Sequence, residues 1–354
     1  MLPAQWETFK RAARLETLDK IPMALIIDSP WIPGYLGISH LDYYLDPELW
    51  FQSNLRIMRE FPQIIFVPSW WVEYGMAAEP SVLGAKIKFW MDNTPSEYHR
   101  LDRLEDIDLL PEYEVEADGF AALTLHRYRM HRQRILDHGY ILPFVTARGP
   151  LCTAGFVRST TNLMVDLVEN PEGAHKLIDL CTRVVIDWLK AQHKVLGDTV
   201  EGLFLLDDIV GFINEEHYRE FAHPYLKRIC DAFPQHWIKL YHNDAEIDAC
   251  LDHLPDCGFH VLNWGKQKDI REVKRRVGDR MCLMGNVNPL EIGVRGTPEE
   301  VKRATLECLE GGASDGKGMI LSVGGGTSPG MPRQNILAML EALEEFNGKK
   351  LAQV

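Results

Sequence analysis

Eight times along its 354 residues this chain runs a short apolar stretch into a polar tip, with a helical pattern before the next such stretch. An apolar run of about four to eight residues closed by polar groups is the signature of a buried strand whose end meets solvent or a pocket. The runs are Met23–Asp28, Gln63–Ser69, Tyr140–Thr146, Gly202–Leu206, Trp237–Asp244, Phe259–Asn263, Met281–Asn286 and Met319–Val323. Helical patterns fall at Glu7–Thr17, Pro47–Glu60, Phe120–His138, Thr161–Glu169, Pro171–Gln192, Asn214–Phe233, Ala245–His253, Asp269–Val277, Thr297–Glu310 and Arg333–Phe346. This alternation predicts an α/β fold, the (β/α)8 TIM barrel. A doubly wound open sheet would alternate too, but no G-x-G-x-x-G follows the first strand and there is no P-loop. Residues 75–113 loosen the pattern, and they read as an insertion over the tips of a single domain spanning 1–354.

Active sites of such barrels lie at the C-terminal ends of the strands, where residues distant in sequence converge. The tips collect Asp28, Trp70, Trp71, Arg148, Asp207, Asp208, His242, Asn243, Asp244, Asn263, Trp264 and Asn286, with Tyr74 just beyond the second. His242 with Asp207, Asp208 and Asp244 offers general acid and base groups, or a neutral imidazole with carboxylates for zinc, His242 being the candidate ligand. Neighbours on an extended segment point opposite ways, so one of Asp207 and Asp208 faces the pocket. Trp70, Trp71 and Tyr74 suit stacking on a flat substrate or packing; Arg148 suits a carboxylate clamp or an internal salt bridge. Asn263 and Asn286 complete the substrate-binding candidates. Cys250, His253, Cys257 and His260 imitate a zinc knuckle, but they span a helix end, a turn and a strand start. Gly324-Gly325-Gly326 lacks the lysine of a phosphate loop and reads as a tight turn.

With 51 acidic against 38 basic residues, the formal charge is -13. Phosphate backbones need a Lys/Arg surface, so nucleic acid is excluded as a partner. No apolar run approaches the roughly 18 residues that span a bilayer, and no charged-then-apolar leader opens the chain, so the expected location is cytoplasmic. Seven scattered cysteines fit reduced core thiols rather than a disulfide framework.

Gly285-Asn-Val-Asn-Pro-Leu290, Gly296-Thr-Pro-Glu-Glu-Val301, Leu321 to Pro332 with Asn335, Tyr218 to Arg228, and Phe9 to Arg14 with Asp19 to Pro22 resemble the uroporphyrinogen decarboxylase superfamily over nearly the whole length. That resemblance implies the same barrel, and a homodimer or a monomer. True decarboxylases of the family carry an arginine-rich segment after the first strand; here Asp28 to Gly37 contains no arginine. The branch acting on coenzyme M holds zinc with His-x-Cys and a further Cys. Here His242-Asn-Asp244 keeps only the histidine, and Gly324 to Gly326 replaces the second site. What the resemblance then implies is the other arm: a methyltransferase taking a methyl group from a small donor, such as a methoxylated aromatic, to the Co(I) corrinoid of a partner protein. Zinc or proton transfer at His242 would activate the donor. Decarboxylation of a small carboxylated substrate is the alternative enzyme, and a non-catalytic binding barrel the third reading.

Overall fold

The computed structural model describes residues 1–27 and 30–351, without the side chains of the last two. Asp28, one of the expected tip residues, therefore lies outside the described residues. Ten strands occur among the described residues: β1 (Ala24–Ile26), β2 (Ile65–Val67), β3 (Lys86–Lys88), β4 (Ser96–Tyr98), β5 (Phe144–Arg148), β6 (Gly202–Leu206), β7 (Ile238–Asn243), β8 (Val261–Trp264), β9 (Cys282–Val287) and β10 (Met319–Val323). All but the β3–β4 hairpin belong to the TIM barrel.

Six of these, β5 to β10, pair in chain order as one parallel sheet. β1 pairs with β2, also in parallel, and a bridge from Met23 to Leu321 attaches this pair to β10. Met1 lies in the seam between β2 and β5, where its backbone exchanges hydrogen bonds with Ile141 and its amino group donates to Ser69. The strands are apolar on both faces, as parallel strands covered by helices must be. Side-chain alternation sorts them. Phe144, Phe204, Leu206, Ile238, Leu240, Val261, Met284 and Ile320 pack in one cluster inside the barrel. Leu203, Leu205, Tyr241, Leu262, Leu283 and Leu321 join the larger cluster under the helices.

Register sets the height of the site. Arg148 pairs with Leu206, Leu206 with His242, and His242 with Asn263, so four neighbouring strands bring these residues to one level. The ladder between β8 and β9 pairs only Val261 with Cys282 and Leu262 with Leu283. Above Leu262 the two strands part.

Local chemistry explains several boundaries. Pro143 cannot donate to a ladder, so β5 starts at Phe144 rather than at Tyr140 and reaches Arg148. Pro224 lacks the N–H a continuous helix needs, which divides the expected Asn214–Phe233 helix into Glu215–Phe221 and His223–Asp231. The helix expected at Ala245–His253 does not form. Asn243 Oδ1 accepts from Ala245 N in an Asx turn, and only a 3-10 turn at Leu251–His253 and a short helix at Leu254–Cys257 follow. Thr297 and Glu300 form the capping box that starts the helix Pro298–Gly312.

Residues 75–113 hold the short helix Ala78–Val82, the antiparallel hairpin β3–β4 and a 3-10 stretch at Leu104–Leu109. The amides of Arg100 and Leu101 both donate to Val157 O, fastening this excursion to the helix Pro150–Arg158. No helix among the described residues is long and apolar enough to cross a membrane.

Candidate active site

His242 sits inside the barrel at the upper end of β7, two residues beyond the inward-facing Leu240, and only 3% of it is exposed. Its Nδ1 is 2.7 Å from Asn263 Oδ1. Asn263 Nδ2 donates to Met284 O (2.7 Å) and Val323 O (3.2 Å), two carbonyls that can only accept. The amide oxygen must therefore face the ring, and Nδ1 must carry a hydrogen. That leaves Nε2 turned toward two carboxylates, Asp244 Oδ2 at 3.5 Å and Asp208 Oδ1 at 3.8 Å.

Burial by itself disfavours an imidazolium, but here Asp244, Asp208 and the Asn263 hydrogen bond outweigh it and carry the His242 pKa up to about 9. The same pairing holds the Asp244 carboxyl below its ordinary value against the opposing effect of burial. Asp208 also accepts a 2.7 Å bond from Asp244 N, which locks the two loops together. A Cβ on Gly325 would lie 2.0 Å from Asp244 Oδ1, so the glycine turn after β10 is where the Asp244 carboxylate fits.

Asp207 and Asp208 diverge as neighbours on a strand end should. Asp208 faces His242; Asp207 is fully buried on the helix side, where its Oδ1 accepts from Cys152 N at 2.7 Å. Gly149 makes room for it, since a Cβ there would lie 2.3 Å from the Asp207 carboxyl carbon. Burial pushes its pKa up to about 7 despite the amide donors at the start of the helix Pro150–Arg158. The placement corrects its expected role as a pocket acid.

The model of the uroporphyrinogen decarboxylase family, "Uroporphyrinogen decarboxylase (URO-D)", matches residues 5–346. The chain belongs to the uroporphyrinogen decarboxylase family. Family relatives named uroporphyrinogen decarboxylase include one from Coxiella burnetii, 28% identical over 99% of this chain and 97% of its own. One from Danio rerio is 24% identical over 98% and 95%, and one from Chlorobaculum parvum 25% identical over 69% and 70%. A solved methyltransferase from Methanosarcina mazei has the same fold, with a TM-score of 0.79 and 19% identity over 96% of this chain and 97% of that one.

Within this family member, the other expected site residues divide. Trp71 is partly buried beside Phe204, with ring centroids 5.9 Å apart, and the Arg148 guanidinium lies 5.6 Å from the Trp71 ring. Phe204 in turn meets the His242 ring edge-on at 6.2 Å. Trp70 does not share this wall. It is fully buried in the helix layer against Trp50, Phe51 and Tyr140. Tyr74 likewise packs among Tyr44, Phe89 and Phe120. Asn286 donates to Gly265 O and Lys268 O, holding the loop after β8. Asn263 fixes the catalytic candidate rather than facing a substrate.

Arg148 is occupied. Its Nη2 donates to Glu73 Oε1 at 3.0 Å and to Gly75 O at 3.4 Å, and its backbone N donates to Glu79 Oε1 at 2.7 Å. Glu73 and Glu79 are buried carboxylates that sequence reasoning missed; the available signal was an acid on either side of the aromatic tip after β2, in a stretch that otherwise reads as core.

Zinc needs deprotonated ligands gathered at coordination distance. All seven cysteines are buried, and burial pushes the Cys308 thiol up to about 12. Among the described residues no group of three His, Cys, Asp or Glu side chains is arranged to hold a metal ion, the imitation knuckle at Cys250–His260 included. As arranged, these residues do not fit zinc. What they do fit is proton donation by a charged imidazole beside an aromatic wall.

Proposed function

We propose that this protein transfers a methyl group from a small methoxylated aromatic to the Co(I) corrinoid of a partner protein. The observation that carries the reading is His242 Nε2, a nitrogen buried at the barrel mouth and turned toward Asp208 and Asp244, two carboxylates that favour its protonation. An aryl methyl ether gives up its methyl group only if the departing oxygen is neutralised. In the step proposed, the cobalt electron pair forms the Co–CH3 bond as the CH3–O bond breaks. The oxygen keeps the bonding pair and takes the His242 proton. Cobalt goes formally from Co(I) to Co(III), and the products are a phenol and methylated corrinoid. Asp244 and Asp208 keep the imidazole charged until that moment, and Trp71 with Phe204 flanks the ring. The fold shared with a solved methyltransferase is compatible with this chemistry.

A second reading has its own support, because relatives at 24 to 28% identity are named uroporphyrinogen decarboxylase. It requires cationic groups for substrate carboxylates, and Arg148 is already bound to Glu73. The test is the visible spectrum of chemically reduced cobalamin, and then of a reduced corrinoid protein, mixed with the enzyme and a panel of methoxyphenols and methoxybenzoates. Conversion to methyl-Co(III) that disappears in His242→Gln supports the proposal. No conversion with either acceptor, together with loss of carbon dioxide from a carboxylated substrate, would replace it with the decarboxylase.

A further inference from the structure

We infer that the donor this site accepts is an uncharged methoxyphenol, and that the barrel mouth rejects the same ring bearing a carboxylate. The inference rests on the methyl-transfer reading and concerns how Arg148 is used. A buried guanidinium beside an aromatic wall is the usual means of holding a carboxylate, bidentately and with little mobility. Here that guanidinium is 8% exposed and donates to Glu73 and Gly75 O, while Glu79 receives its backbone N–H. Asp208 and Asp244 also lie within its electrostatic reach.

The hairpin β3–β4 adds one more acid. Glu97, opposite Ile87 in that hairpin, is partly buried, and burial raises its pKa against the opposing pull of the Arg148 charge. Three carboxylates, Glu73, Asp208 and Asp244, thus meet the two cations Arg148 and His242, and burial pushes the neighbouring Glu79 and Glu97 toward the neutral form. His242 shares its charge with Asp208 and Asp244, so neither cation is left to balance a carboxylate on the ligand. Like charges in a partly desolvated site repel far more strongly than in water.

Polar groups for an uncharged phenol remain. Ser322 Oγ is fully buried, has no hydrogen-bond partner among the described residues, and shares a face of β10 with the inward-facing Ile320 two residues before it. A hydroxyl can meet a phenol as donor or acceptor without bringing charge. A neutral ring carrying one methoxy and one hydroxy group matches Trp71, Phe204, Ser322 and the His242 proton together.

The test is calorimetric titration of the enzyme, without any corrinoid, with ortho-methoxyphenol and with the same ring bearing a para-carboxylate. The neutral ring should bind at least about tenfold more tightly, as expected where like charges meet. Glu73→Gln should narrow the gap, and Glu97→Gln, on the partly exposed β3–β4 hairpin, should narrow it less. Equal or tighter binding of the carboxylated ring by the unmodified enzyme, or binding of neither ring, overturns the inference. Each ligand is then offered with Co(I) corrinoid protein. Selective binding without methyl transfer would sink the methyl-transfer reading while leaving the charge selectivity standing.

Discussion

Nδ1 of His242 lies 2.7 Å from Oδ1 of Asn263, and this contact decides which ring nitrogen faces the barrel mouth. Asn263→Ala removes the acceptor that fixes the tautomer. Loss of a group that orients a functional histidine typically costs about 10- to 100-fold in activity. The expected result is a fall of that size in single-turnover methyl transfer with donor affinity nearly unchanged. An equal loss in donor affinity would mean that Asn263 binds substrate instead.

The His242 pKa, raised to about 9, sets a pH limit on an enzyme that uses it as an acid. Transfer should be flat near neutrality and fall as pH rises through about 9. Asp244→Asn removes the strongest charge favouring the imidazolium, so the falling limb should move to lower pH. The folding contribution has the same sign. A raised histidine pKa adds stability that is fully present below the unfolded value of about 6.5 and lost as pH climbs through the folded value. Rate profiles and thermal midpoints between neutral and alkaline pH measure both, and an unmoved limb in Asp244→Asn would separate the limb from His242.

Asp207 works in the same direction over a lower pH range. Its carboxyl, raised to about 7 by burial, holds a proton in the folded state that the unfolded chain has already lost. Folding stability from this group should therefore decline as pH rises from about 4 toward 7. In Asp207→Asn that slope should flatten, with the Cys152 N–H still satisfied by the amide oxygen. Thermal melts across that range check it, and parallel slopes in the two proteins would contradict the assignment.

Gly325 has φ of +93° and no room for a methyl group beside Asp244. Gly325→Ala is expected to cost at least about 1 kcal/mol from backbone strain alone. By displacing the Asp244 carboxylate it should also move the falling limb of the rate profile to lower pH, as in Asp244→Asn. Denaturant unfolding and the pH–rate curve give the two readouts.

The two neighbouring tryptophans should respond differently. Trp70→Ala empties a fully buried site and should lower stability by about 3 to 5 kcal/mol. Trp71→Ala should chiefly weaken donor binding, because its ring borders Phe204 and Arg148. Chemical unfolding and donor titration of both variants distinguish wall from core.

The strand tips were legible because period-two alternation and apolar runs are local properties, and His242 and Asp208 follow from them once the barrel is drawn. Which way Trp70 and Tyr74 point was not. Trp70 has φ of +53°, a backbone turn that strand alternation does not anticipate, and it swings the ring into the helix layer. Arg148 could be placed at the mouth from sequence, but its partners Glu73 and Glu79 come from the segment that follows β2, a long-range pairing with no periodic signal. The Ala245–His253 region reads as helix by composition, and one Asx turn at Asn243 diverts it.

The parting of β8 and β9 above Leu262 leaves a wedge that side chains span, since Asn263 reaches across to Met284 O and Val323 O. Backbone ladders usually hold a barrel rim regardless of side-chain identity, but here a section of the rim depends on side-chain amides, that of Asn263 and that of Asn286, which donates from β9 to Gly265 O and Lys268 O. Heat inactivation should accordingly begin there, as a local opening between β8 and β9 that releases the proton donor while β9 and β10 stay paired up to Val287 and Val323.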